Sequence, residues 1–316
     1  MKRQFISCTL VICMLCALFS CGFERPEDDG QLSVVATIFA PYDFARAVAG
    51  ELAQVAMLLP PACESHSFEP TPRDIVRIRS CGVFIHVGGE SDAWVERILS
   101  TMDTSRMHIV TLMDCVDAVE EAVVDGMQAA AGDDDGDDDE PELDEHVWTS
   151  PKNAVLITRK ISEAMCAADP RNAAAYRRNT DAYLAGLDAL DAEFREIAAN
   201  GARNTIVFGD RFPFRYFTDA YGLGYCAAFP GCAAETEAGA RTVIFLVEKI
   251  KAEGIPVVFH AELTNANMAR AIAKETGADV RLLHACHNIS RADYRAGKTY
   301  LDLMRDNAAA LREALS

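Results

Sequence analysis

From residue 32 to about residue 125, short β-rich apolar runs alternate with stretches of helical spacing. Residues 34–39, 55–59, 83–87 and 108–112 read as strands, and residues 42–52, 72–79 and 92–102 as helices. The alternation resumes in the second half. Strands are predicted at 205–208, 225–229, 257–260 and 280–284, and helices at 212–221, 237–252, 265–275 and 300–315. Between the two series lies one long helical stretch over 170–199. Its apolar residues Tyr176, Tyr183, Leu187, Leu190, Phe194 and Ile197 share a face, Pro170 suits its start and Gly201 its end. Strand and helix taken in turn argue for parallel βα units. The expected fold is therefore α/β: two parallel-sheet lobes, residues 31–168 and 202–316, joined by a linking helix at 169–201 and enclosing a cleft.

The N-terminus reads as an address. Lys2 and Arg3 precede an apolar run over 5–19 that ends in Leu18-Phe19-Ser20-Cys21. The run is too short to span a membrane and ends in small residues, as a signal peptide does, here residues 1–20. Cys directly after Leu-Phe-Ser resembles a bacterial lipobox, which implies acylation of Cys21 and a polar tether over 21–30; an ordinary secretory signal is the alternative. The protein is then expected outside the cytoplasm, at the cell surface or in the periplasm, held to the membrane by lipid without a span. The formal net charge of −18 disfavours nucleic acid and suits a cation-binding protein. Of the eleven cysteines, Cys63, Cys81, Cys115, Cys166, Cys226, Cys232 and Cys286 follow the N-terminal segment, and none of these forms a Cys-x-x-Cys pair. An exported compartment permits disulfides, and the odd count leaves at least one thiol out of any pairing.

Candidate chemistry changes this picture at two loops. Residues 60–75 follow a predicted strand and carry prolines at 60, 61, 70 and 72, so the loop is stiff. It holds one imidazole, His66, just beyond a strand's C-terminal end, where open α/β sheets bind ligands. His66 reads either as a metal ligand or as a side chain that bonds its own loop. The second loop follows an acidic run over 132–145 that has almost nothing apolar to bury. That run reads as a solvated insert or as a weak cation collector. His146 stands at its edge, before a helix starting near Pro151. His86 lies within an apolar strand run and reads as a core residue.

His66-Ser67-Phe68-Glu69-Pro70-Thr71-Pro72 and Asp144-Glu145-His146-Val147-Trp148-Thr149-Ser150-Pro151 together resemble the first two ligand loops of the zinc/manganese (cluster A-I) substrate-binding proteins of ABC importers. The resemblance runs from about Val34 to the C-terminus. It implies a monomeric binding component, not an enzyme, that captures a divalent metal in the interlobe cleft for a membrane permease and its ATPase. The chain departs from that pattern at the third ligand, usually His or Glu. Counting back from Tyr221-Gly222 puts Arg211 there, and a guanidinium cannot ligate a cation; aligning on the strand end puts Gly209 or Asp210 there. The third ligand is thus either absent or replaced by Asp210. For the last ligand, register from the final helix gives Asn288 without a gap and His287 with a one-residue shift. The implied set is His66, His146 and His287, with Glu262 as fourth donor or as orienting group, and Asp210 and His284 as rivals. Cys286 is a further soft donor or a structural thiol. Three imidazoles and a carboxylate favour zinc over manganese. A zinc-dependent hydrolase is the competing class, although the chain has neither His-Glu-x-x-His nor Gly-x-Ser-x-Gly; an adhesin role on the same fold is a further alternative.

Overall fold

The structure, a computed structural model, describes residues 30–64, 68–127, 142–231 and 238–316. The elements below all belong to one compact unit, residues 32–316. His66, Cys21, Cys232 and residues 132–141 of the acidic run lie outside the described residues.

Two four-stranded sheets repeat one topology. The first has the order β2-β1-β3-β4, from β1 (Leu32–Ala36), β2 (Ala53–Met57), β3 (Val83–His86) and β4 (His108–Thr111). The second has the order β6-β5-β7-β8, from β5 (Thr205–Phe212), β6 (Gly224–Pro230), β7 (Val257–His260) and β8 (Asp279–Leu282). Every pairing within them is parallel. In each sheet the first strand is central, with later strands added on both sides. The chain therefore reverses its winding direction beside β1 and beside β5, where a crevice opens beyond the strands' C-terminal ends.

Ten α-helices are described. In the first half these are α1 (Phe39–Ala49), α2 (Pro72–Ser80), α3 (Ala93–Leu99) and α4 (Pro151–Ala168). The linking helix α5 (Ala173–Asn200) has 28 residues, about 42 Å at 1.5 Å rise per residue. It begins three residues later than Pro170 suggests. Asp169 accepts from Asn172 Nδ2 at 2.7 Å and from the Tyr176 hydroxyl at 3.2 Å, which closes the turn between α4 and α5. The predicted stripe faces the core at Tyr176, Leu187, Leu190, Phe194 and Ile197, and Leu184 takes the fully buried place beside Tyr183. The second half carries α6 (Arg215–Tyr221), α7 (Ala240–Glu253), α8 (Asn267–Thr276), α9 (Arg291–Ala296) and α10 (Tyr300–Leu315). One apolar cluster runs through both halves, from Val34 and Phe44 by way of Trp148 and Tyr300 to Phe208 and Phe259.

Helix starts are fixed by local chemistry. At α2, the Thr71 side chain accepts from the Asp74 amide while Asp74 accepts from the Thr71 amide, with Pro72 at the first helical position. Thr299 and Asp302 form the same reciprocal pair at α10. The first capping box pins the downstream end of the 60–71 loop.

Strand β5 departs most from expectation. It was predicted to end at Phe208, but it continues to Phe212 through a register break between Phe208 and Arg211. Such a bulge re-aims the side chains that follow it. Asp210 holds it in shape: Oδ1 accepts from the Arg211 amide at 2.9 Å and Oδ2 from the Ala261 amide at 3.2 Å. Gly209 lets α8 lie against the bulge, because a Cβ there would stand 2.6 Å from Ala269 Cα and 2.8 Å from its nitrogen. A methyl group at this point must push strand and helix apart. Gly209→Ala is expected to destabilise the protein by about 1–3 kcal/mol, as overpacking does, read as a lower urea midpoint at unchanged m-value. An unchanged midpoint would show that this contact is soft.

Candidate metal centre

Four loops and two strand ends converge on one small cleft. The 60–64 segment supplies Cys63 and Glu64, the segment before α4 supplies His146, the ends of β5 and β6 supply Arg211, Pro213 and Gly231, and the loops after β7 and β8 supply Glu262 and His287. The His146 and His287 rings meet edge-on with centroids 5.7 Å apart. The cleft's free volume is about 50 Å³, several times the roughly 10–15 Å³ that one water needs.

His146 is held from several sides. The Asp144 carboxylate accepts from its backbone amide at 2.8 Å and lies 3.1 Å from its Nδ1. An ionised carboxylate only accepts, so Nδ1 carries the proton and Nε2 keeps the lone pair. Carboxylate–imidazole pairs of this kind orient metal-binding histidines. The Asp144 carbonyl in turn accepts from the Tyr216 hydroxyl at 2.7 Å, which ties the loop to the second half. Gly231 lets the end of β6 approach, since a Cβ there would come within 3.1 Å of His146 Cε1. Burial works against the imidazolium, but the nearby Asp144, Glu145 and Glu121 outweigh it and raise the His146 pKa above its ordinary 6.5.

His287 is positioned through its backbone. Glu262 accepts from the amides of Ala285, at 2.7 Å, and His287, at 2.9 Å, one on each oxygen. Cys286, between them, sits in the left-handed region at φ 59°, which lets both amides point at one carboxylate. The His287 carbonyl accepts from the Phe39 amide of the first half. Trp148, fully buried, donates from Nε1 to the Ala285 carbonyl at 2.7 Å, and its own carbonyl accepts from the Tyr300 hydroxyl at 2.8 Å. The Trp148 ring also packs against His287 at 5.0 Å between centroids.

The other sequence candidates fall outside the pair. Asn288, the gapless alternative to His287, spends its amide donors on the Pro60 and Cys63 carbonyls at 2.9 and 2.7 Å, and so pins the loop that leads to His66. His284 is buried, with Nδ1 accepting from the Cys286 amide at 2.9 Å. Asp210 braces the bulge and lines a neighbouring cleft; Arg211 lines both that cleft and the one with the imidazoles. Glu262 lines the cleft and accepts one amide on each oxygen. Cys286 is a buried free thiol whose pKa burial pushes well up, the inert type. His86 lies in the core, stacked on Phe84 and bonded through Nε2 to Thr111. Among the described residues no three His, Cys, Asp or Glu side chains are grouped to hold a metal, and six cysteines are free thiols. Sequence reasoning missed Asp144 as the support of His146, although it stands two residues before it in the motif singled out; Trp148 was expected to pin that loop, and it does so from the core.

Comparison with known proteins places this geometry. The zinc-binding lipoprotein AdcA of Streptococcus pneumoniae is 27% identical over 96% of this chain and 60% of its own length, so the chain spans less than two thirds of that relative. The high-affinity zinc uptake system protein ZnuA of Bacillus subtilis is 25% identical over 98% of this chain and 96% of its own. The crystal structure of the Zn(II)-bound ZnuA-like domain of S. pneumoniae AdcA superposes with a TM-score of 0.73 at 25% identity, covering 90% of this chain and 99% of that one. The family profile described as zinc-uptake complex component A, periplasmic, matches residues 34–314, and the chain belongs to that family.

Proposed function

We propose that this protein is the extracytoplasmic binding component of a metal importer, which captures zinc in the cleft and hands it to an ABC permease with its ATPase. The observation that carries the reading is the edge-on pair of His146 and His287, with Asp144 fixing the tautomer of one ring and Glu262 the backbone of the other. Neutral imidazoles suit zinc, whereas manganese and calcium favour oxygen donors. His66 is the third imidazole of the proposal. It rests on the sequence motif and on its place in the chain between Glu64, which lines the cleft, and Phe68. A zinc hydrolase would need a general base beside an open coordination position, and Glu262 has its oxygens engaged by amides. Anchoring through an acylated Cys21 and a monomeric state belong to the same proposal. No helix among the described residues is long and apolar enough to cross a membrane.

Zinc titration of single variants against a chromogenic chelator tests the site. His146→Ala and His287→Ala are expected to lose at least about a hundredfold in affinity, roughly 2.7 kcal/mol, while His86→Ala and His108→Ala stay within about threefold. Unchanged binding in both of the first two variants would remove the cleft from the function.

The same titration carried across pH tests the electrostatics. Imidazoles must be neutral to ligate. A raised His146 pKa leaves more of it protonated at any given pH, so zinc affinity falls as pH drops and the fall begins above roughly 6.5. Asp144→Asn removes the largest of the charges that raise it; the onset should move to lower pH, with affinity at pH 8 reduced about ten- to a hundredfold by loss of the carboxylate. In the metal-free protein the raised pKa adds stability that is fully present below the unfolded imidazole value and is lost as pH rises through the folded one. An onset identical in wild type and Asp144→Asn would refute this account of the Asp144–His146 pair.

A further inference from the structure

We propose that Glu145 is a positioning residue for His146, which it holds in place by capping, from far along the chain, the turn that follows β3. The proposal rests on the metal reading above and deepens it by assigning a support to one proposed ligand. Strand β3 ends at His86 and is followed by one turn of 3-10 helix, Glu90–Asp92. Amides at the start of a helical turn have no partner within it and call for an acceptor from outside. The residue at the capping position is Gly89, which has no side chain to offer one. Glu145 supplies it: Oε1 accepts from the Ser91 amide at 2.9 Å across 54 residues of chain, and the Ser91 side chain bonds the same carboxylate. The carboxylate lies over Gly89, where a Cβ would stand 2.7 Å from both Cγ and Cδ of Glu145 and meet Oε1 as well. Gly89 also takes φ 74° and ψ −165°, a region that only glycine enters freely. The turn that receives Glu145 is itself braced, because Asp92 Oδ2 accepts from the amides of Val87, at 2.6 Å, and Gly88, at 3.2 Å.

The consequence falls on the next residue. Glu145 is buried, and its carbonyl accepts from the Val147 amide at 2.8 Å, so its side chain and its backbone are both fixed. His146 is thus served by two carboxylates with different tasks. Asp144 acts on the imidazole, at Nδ1, and on the His146 amide. Glu145 fastens the backbone beside it to the end of β3. Strand β3 is an inner strand of its sheet, paired with β1 and with β4, so the fastening point shares the stability of that sheet. Groups that hold a ligand in its place are worth a large part of a metal site's affinity. The rival account makes Glu145 a cap for the 90–92 turn, with an effect on stability alone.

The test is zinc affinity of the full chain by competition with a chelator, with a urea midpoint and the visible spectrum of the cobalt-loaded form taken for each variant. Glu145→Ala is expected to weaken zinc about tenfold or more and to shift the cobalt bands that report coordination geometry. Glu145→Gln keeps an oxygen for the Ser91 amide and should recover most of the lost affinity, with the bands back near their wild-type positions. A lower urea midpoint in Glu145→Ala with wild-type affinity and spectrum overturns the proposal in favour of the rival. A Gln variant as weak as the Ala variant makes charge and not position the cause, and overturns it too. If Glu145→Ala does not fold, Glu145→Asp takes its place: it keeps the charge but falls one methylene short of Ser91, and wild-type affinity and spectrum in that variant overturn the proposal. Wild-type protein that binds neither zinc nor cobalt overturns the metal reading, and this proposal with it.

Discussion

The site depends on one buried joint. Trp148 lies two residues after His146 and donates to the carbonyl of Ala285, two residues before His287. Its carbonyl accepts from Tyr300 at the start of α10, and the Tyr300 amide donates to Asp43 of α1 at 2.8 Å. The separation of the two imidazoles is therefore set by core packing and not by the flexibility of exposed loops. A fully buried indole fills about 150–250 Å² of apolar surface, and its polar N–H is satisfied across the seam between the halves. Loops that would otherwise be the least stable parts of the chain share the cooperativity of the core.

Around that joint the backbone is held in unusual shapes. The non-glycine residues with positive φ among the described residues are Ala62, Leu263, Ala266 and Cys286, and all lie in the three loops around the cleft. Each such conformation is costly, of order 1 kcal/mol or more, and persists where the surroundings enforce it. The enforcing contacts are visible. The Ala62 amide donates to the Ile289 carbonyl, Asn288 grips Pro60 and Cys63, and Glu262 gathers the amides on either side of Cys286. Rigidity at the cleft is thus supplied by side chains whose polar atoms face backbone rather than ligand.

Periodicity made the architecture legible. Alternating strand and helix runs placed two parallel sheets, and a single apolar face marked the linking helix, because both depend only on neighbours along the chain. The motif around His146 and the choice of His287 over Asn288 led to the pair that meets in the cleft. What escaped was everything decided between remote segments. The extension of β5 to Phe212 depends on Asp210 reaching the Ala261 amide, a contact with no trace in local pattern. Helix α9 is a six-residue element capped by Ser290, too short to show a period. The role of Glu262 turned on the positive φ of Cys286, which a non-glycine residue does not advertise. His66 and residues 132–141 of the acidic run lie outside the described residues, so the reading of them still rests on sequence.

The same contacts explain why an acidic chain can have so few carboxylates to offer a metal. Asp43, Asp144 and Asp210 are buried, the Glu262 side chain is only 7% exposed, and each accepts from at least one backbone amide. A carboxylate so engaged organises the fold at short range, and its negative charge is already balanced by the dipoles that hold it. The net charge of −18 acts differently, as a field that draws cations toward the protein over about a Debye length, 8 Å at physiological salt. Attraction and coordination are therefore separable here. The field of the net charge acts at range, whereas the buried carboxylates stay committed to backbone amides.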